Sequence, residues 1–189
     1  VYVIEETPKI FDLMKNILRI NKREKNIFLY GNADFSGDIK KYISENNIIT
    51  FRYINPVYLT LNLQSDPKPV IDLAVLGNCG NFTSNLDITR LGDIKSVLLN
   101  IENSQGLNYS HENIQVITCG LKEKDTVIFS SINLDEGNVI LDLQRNIKNI
   151  NGETLEAFEC QVDIPEFAQN AKTEDLLPAL SALAFCGLM

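Results

Sequence analysis

Apolar positions along the chain fall into a few recognisable spacings. Between residues 8 and 21, Ile10, Phe11, Met14, Ile17 and Leu18 recur at intervals of three and four. That predicts an amphipathic helix, with Thr7 as N-cap and Pro8 in its first turn. Asn26–Tyr30 is a short continuous apolar run and predicts a buried strand. Ile48–Ile54 predicts another, stopped at Asn55-Pro56 because proline cannot donate to a sheet ladder. Gly37–Glu45 places Ile39, Tyr42 and Ile43 on one helical face, ended by Asn46-Asn47. Leu91–Ile101 (Ile94, Val97, Leu98 and Ile101 inward) and Gly137–Ile150 (Val139, Ile140, Leu143 and Ile147) also match the helical period. Val70–Leu76 is apolar without declaring its type. Ile114–Cys119, Thr126–Ser131 and Thr154–Val162 read as strands, and Leu176–Leu188 as an apolar helix rich in small residues.

The two halves share an order of events. The first runs from Ile27-Phe28-Leu29-Tyr30 through a glycine-bearing turn, a helix, a strand and Asn55-Pro56 to Ala74-Val75-Leu76-Gly77. The second runs from Val127-Ile128-Phe129-Ser130-Ser131 through Gly137, a helix, a strand and Ile164-Pro165 to Ala184-Phe185-Cys186-Gly187. A duplicated αβ unit would produce this order, and so would ordinary αβ grammar. With the turn-rich Gly77–Asn85 segment as boundary, the expected architecture is α/β in two αβ lobes, residues 1–84 and 85–189.

At 189 residues, the chain is long enough to bury a substantial core. Lys+Arg of 17 against Asp+Glu of 25 gives a net charge of −8, which argues against a nucleic-acid surface. The one basic cluster, Lys22-Arg23-Glu24-Lys25, reads as a solvated helix end. Cys79, Cys119, Cys160 and Cys186 are widely spaced with no C-x-x-C pair, and two of them sit in apolar runs. Buried free thiols in a reducing compartment follow from that, not a disulfide frame or a metal site. No apolar run reaches the roughly 20 residues that span a bilayer. The chain begins at Val1 without a signal-peptide layout, as an excerpt of a longer protein would.

Candidate chemistry is sparse. His111 is the only histidine, in the hydrophilic Ser110-His111-Glu112, and reads as an exposed loop residue rather than a catalytic base. The acid pairs Glu5-Glu6, Asp135-Glu136 and Glu174-Asp175 fall at turns or helix starts, where they favour the helix dipole. The remaining candidate is the strand–loop–helix around Gly31, Asn32, Ser36 and Gly37. There, backbone N–H groups at a helix N-terminus could face an anion or a nucleoside. Asp34 and Asp38 put negative charge where a phosphate would sit, and the spacing is neither of the common glycine-rich phosphate motifs. A structural turn is the preferred reading.

The residues from Ile27 to Gly37, Ile39-Lys40-Lys41-Tyr42-Ile43 and Ile48 through Pro56 resemble the C-terminal part of the actin-like proteins of bacterial pilus assembly, the PilM type. Leu177–Ala184 is similar to the small-residue helix that closes their chains. Residues 85–160 lie outside the likeness. The resemblance implies an actin-like, RNase H-like fold and a cytoplasmic assembly or scaffold protein of a pilus or secretion machine, at the inner face of the membrane. Its partners would be proteins, with no nucleic acid and no membrane insertion. Gly31, Asn32, Ser36 and Gly37 would be a residual nucleotide edge, and the cofactor either none or ATP. The glycine pair of the family is reduced to Gly31-Asn32, and Asp72 lacks the glycine of a phosphate loop. A nucleotide-dependent enzyme of the actin and sugar-kinase type, with its phosphate loop outside this chain, is the alternative.

Overall fold

Val1, Val3 and Glu5 are buried on one side of the first strand, while Ile4 packs into a second core on the other. That period of two organises the molecule. The computed structural model describes residues 1–5, 7–20, 27–30, 39–43, 48–54, 69–77, 88–100 and 113–188. Their elements in chain order begin with β1 (Tyr2–Ile4), α1 (Lys9–Ile20), β2 (Ile27–Tyr30), β3 (Ile39–Ile43) and β4 (Ile48–Ile54). β5 (Val70–Ile71), β6 (Ala74–Leu76), β7 (Asp93–Ile94), β8 (Ser96–Asn100) and β9 (Gln115–Cys119) follow. β10 (Val127–Asn133), β11 (Asn138–Leu143), β12 (Ile147–Lys148), β13 (Thr154–Leu155), β14 (Phe158–Asp163) and α2 (Thr173–Phe185) complete the chain.

Among the described residues, one mixed sheet runs β14-β11-β10-β9-β8-β6-β1-β4-β3-β2. Its centre, from β4 to β10, is parallel, and antiparallel strands flank it at both ends. The class is therefore α/β. β6 pairs directly with β8, so the sheet is continuous across the 84/85 division, and one cluster of buried residues draws on both sides of it.

The strands at the centre are covered on both faces. Val3, Val75, Leu98 and Ile117 face α1 and α2, which pack against each other on that side. Ile4, Ala74, Leu76, Val97 and Leu99 face the other way, against Ile71, Ile88, Leu91 and Ile94. Each large side chain so buried contributes roughly 1.5–3 kcal/mol. β10 joins β9 through the single pair Val127–Cys119. The β10–β11–β14 meander therefore starts where the parallel strands end. The six steps from Val127 to Asn133 carry it about 20 Å further, at about 3.3 Å per residue.

The predicted helix at 8–21 and the closing apolar helix are present, as α1 and α2. The strands expected within 26–30, 48–54, 114–119 and 126–131 are present too, whereas the run 154–162, expected as one strand, divides into β13 and β14 in different sheets. Three predicted helices are not present. Residues 39–43, read as part of a helix from Gly37, form β3, bonded antiparallel to both β2 and β4. Ile39, Tyr42 and Ile43 satisfy a helical spacing over five residues, too few to separate the two periods. Ser96–Asn100 is a strand buried at every position. A strand covered on both faces is apolar throughout and so matches any period. Asn138–Leu143 alternates, with Val139, Leu141 and Leu143 inward, and is β11.

These corrections bear on the proposed repeat as well. Each half contains three antiparallel strands, β2–β3–β4 and β10–β11–β14. The first trio joins the parallel centre through its last strand and the second through its first.

Candidate functional site

The carboxyl ends of the parallel strands lie in a row. Ile4 pairs with Ile54 on one side and Leu76 on the other, Leu76 with Leu99, and Asn100 with Cys119. One residue beyond Ile4, Leu76 and Leu99 come Glu5, Gly77 and Asn100. After β1 the chain enters α1 on one face, whereas after β6 its next described residues, Ile88 and Leu91, pack on the opposite face. Adjacent parallel strands that part in this way open a crevice at their carboxyl ends, where α/β proteins commonly place ligands. Here Glu5 and Gly77 meet at that point and leave no room between them for a methyl group. The Glu5 N–H donates to Ile54 O at 3.2 Å and the Gly77 N–H to Ile4 O at 2.9 Å.

Glu5 is 2% exposed, and its carboxylate meets the N-terminus of α1. The Ile10 N–H donates to Oε2 at 3.2 Å and the Phe11 N–H to Oε1 at 3.1 Å. The first helical bond runs from the Asp12 N–H to Pro8 O at 2.9 Å, so the cap position belongs to Pro8, which has no side-chain acceptor. Glu5 takes over from a distance the two donors that a serine or aspartate N-cap would satisfy. Thr7, expected to cap, contributes instead its carbonyl, which accepts the Lys9 N–H at 2.7 Å.

Burial pushes the Glu5 carboxyl up, from an ordinary 4.5 to about 7. The two backbone donors oppose that shift, and the Asp175 and Asp12 carboxylates add to it. Gly77 is small for a reason. A Cβ there would lie 2.8 Å from Ile10 Cδ1, 2.9 Å from Glu5 Cβ and 3.0 Å from Glu5 Oε2.

α2 starts at the same edge of the sheet. Pro178 lies inside this helix and has no N–H to give to Glu174 O, the carbonyl four residues back. The buried Asn100, at the end of β8, donates its Nδ2 to that carbonyl at 3.2 Å. One side chain thus ties the sheet's carboxyl edge to the first turn of α2 and makes good the missing helical bond. Asp175, in that turn, is buried, and desolvation raises its pKa, partly offset by Lys9.

A third corner follows Cys119. Asp125 is buried and its Oδ2 accepts the Lys122 N–H at 3.1 Å. Gly120 passes so close that a Cβ would lie 2.3 Å from the same oxygen.

The residues expected to form a nucleotide edge, Gly31, Asn32, Ser36 and Gly37, lie outside the described residues, as do His111 and Cys79. The strands that flank the loop, β2 and β3, are antiparallel neighbours. The segment is therefore followed by a strand and not by the helix whose N-terminus made it a candidate cradle. Cys119 and Cys186 are buried, as their apolar runs implied, and Cys160 is half-buried. Burial pushes Cys186 up to about 12 and Cys119 further. Among the described residues, no group of three histidine, cysteine or acidic side chains could hold a metal ion. No described helix is long and apolar enough to cross a membrane.

Glu174-Asp175 and Asp135-Glu136 sit at a helix start and a turn, as expected. Glu5 was recognised only as one of an acid pair, and Gly77 and Asn100 only as a boundary and a helix position. The alternation of Val1, Val3 and Glu5 is the signal that could have singled out Glu5. A scan against protein-family models finds no match to the chain, and a search of curated proteins finds none either.

Proposed function

We propose that this chain is an assembly or scaffold protein that works through contacts with other proteins. The observation that carries the reading is the place of Glu5. In α/β proteins, a phosphate commonly sits between the carboxyl end of a strand and the N-terminus of the following helix. Here the Glu5 carboxyl lies there and accepts the Ile10 and Phe11 N–H groups. A carboxyl group built into the chain occupies those two donors and stands where a diffusing anion would bind. The setting, a pilus or secretion machine at the inner face of a membrane, comes from the likeness to PilM-type proteins. That likeness rests on residues 27–37, 48–56 and the closing helix; its segment at 39–43, expected in a helix, is a strand.

The alternative is an actin- or sugar-kinase-like enzyme using the same crevice, and the opposite departures after β1 and β6 favour it. Calorimetric titration with Mg·ATP separates the two. The scaffold reading expects no binding by the wild type, and binding by purified inner-membrane platform subunits in a matched titration. Micromolar affinity for Mg·ATP that Gly31→Val abolishes would overturn it.

A further inference from the structure

Among the described residues, β14 closes one end of the sheet, with β11 on one side and no strand on the other. Two hydrogen bonds show which of its backbone groups are used. The Ile164 N–H donates to Gly137 O at 2.7 Å, and the Gln144 N–H donates to Thr126 O at 2.9 Å. Backbone direction alternates along a strand, so even-numbered residues of β14 bond β11 while Glu159, Gln161 and Asp163 turn their N–H and C=O outward. All three are exposed. Side chains follow the same alternation. Phe158, Cys160 and Val162 lie half-buried over the core, opposite Leu143, Leu141 and Val139.

We infer that this edge is a homodimer interface, in which β14 pairs antiparallel with β14 of a second copy about a two-fold axis through Cys160. A two-fold axis perpendicular to the sheet preserves its faces, so each residue meets a partner of the same parity. That leaves two central registers. Centred on Gln161, the pairing sets Glu159 against Asp163 of the partner, like charges face to face. Centred on Cys160, it sets Glu159 against Gln161, Phe158 against Val162 and Cys160 against its own copy. The outward groups of Glu159 and Gln161 then bond each other, and the half-buried face of Phe158, Cys160 and Val162 continues into the partner. The contact is isologous and closes at two chains. It is a β-augmentation in which the added strand comes from an identical chain. It does not depend on the pilus-machine reading.

So short a contact falls at the low end of interface sizes, which predicts a dimer of micromolar affinity or weaker. Sedimentation of the full chain over a concentration series should show monomer passing to dimer. Gln161→Lys faces Glu159 of the partner twice per dimer and should tighten association roughly 2- to 30-fold. Gln161→Glu should weaken it by a similar factor. Gln161 is exposed and its backbone groups point away from β11, so melting of both variants should match the wild type at concentrations where the monomer prevails.

The wild type gives a second readout. Residues facing each other in a non-hydrogen-bonded pair bring their Cα atoms to about 4.5 Å, within disulfide reach. Added diamide, accepting two electrons and two protons from a thiol pair, should yield a Cys160–Cys160 linked peptide in mass spectrometry. A mass of one chain at every concentration overturns the proposal. So does an assembly larger than a dimer, a dimer whose affinity Gln161→Lys lowers or leaves unchanged, or the absence of the Cys160–Cys160 link.

Discussion

Asn100 and Pro178 should be energetically coupled although 78 residues separate them in the chain. Pro178 deprives Glu174 O of its helical donor, and the Asn100 amide supplies one at 3.2 Å from a site only 6% exposed. Truncating Asn100 to alanine removes this donor from a part-buried bond, a loss of about 0.5–1.5 kcal/mol. At about 2–4 °C per kcal/mol for a chain of this size, Tm should fall by about 1–6 °C.

Pro178→Ala restores an N–H at the position that should donate to Glu174 O. In that background the Asn100 amide is redundant, and Asn100→Ala should cost at least about 0.5 kcal/mol less than in the wild type. The assay is a double-mutant cycle from urea titrations followed by far-UV circular dichroism, read where the four m-values agree. Equal costs of Asn100→Ala in both backgrounds would refute the reasoning. The bond to Glu174 O would then contribute nothing beyond packing, and Pro178 would be tolerated for some other reason.

Three further expectations rest on named contacts. Because the folded Glu5 carboxyl titrates near 7 and the unfolded one near 4.5, the native state binds the proton more tightly. Stability should therefore fall as pH rises between those values, by at most about 3 kcal/mol, and Glu5→Gln should flatten that slope in urea titrations across the window. Gly77→Ala drives a methyl group into Ile10 Cδ1 and Glu5 Cβ and should cost about 1–3 kcal/mol by the same titration, less when Glu5 is alanine as well. Of the three described cysteines, Cys160 should react first with a maleimide in peptide mapping of the native protein, and the buried Cys119 and Cys186 only on unfolding.

How far the fold could be read from sequence depended on burial. α1 declared itself because one face is buried and the other polar, with Asp12 and Lys15 exposed opposite Ile10, Met14 and Ile17. β8 did not, because Ser96–Asn100 is buried throughout and carries no contrast between faces. β11 was lost for another reason. Its inward set, Val139, Leu141 and Leu143, alternates, but Ile140 on the outer face made an i, i+3 pair with Leu143 that mimics a helix. The sheet order could not be read at all. It depends on which of several similar apolar runs pair, a choice made by the whole core and not by any one segment.

The site obeyed the same physics. Glu5 follows Val1 and Val3 in a strand whose alternate residues face α1, so period two alone directs it inward. What makes that burial tolerable is geometry that no local pattern encodes. The strand must end within a few residues of a helix whose cap is a proline, so that the Ile10 and Phe11 N–H groups meet the Glu5 carboxyl. A buried carboxylate without partners and a helix N-terminus without a cap are each unfavourable, and placed together they offset one another. Gly77 completes the arrangement from a distant strand by leaving the space a methyl group would fill. Reading Glu5-Glu6 as a pair favouring a helix dipole therefore named the right interaction. One of those two acids is the cap itself, buried between the end of β1 and the first turn of α1.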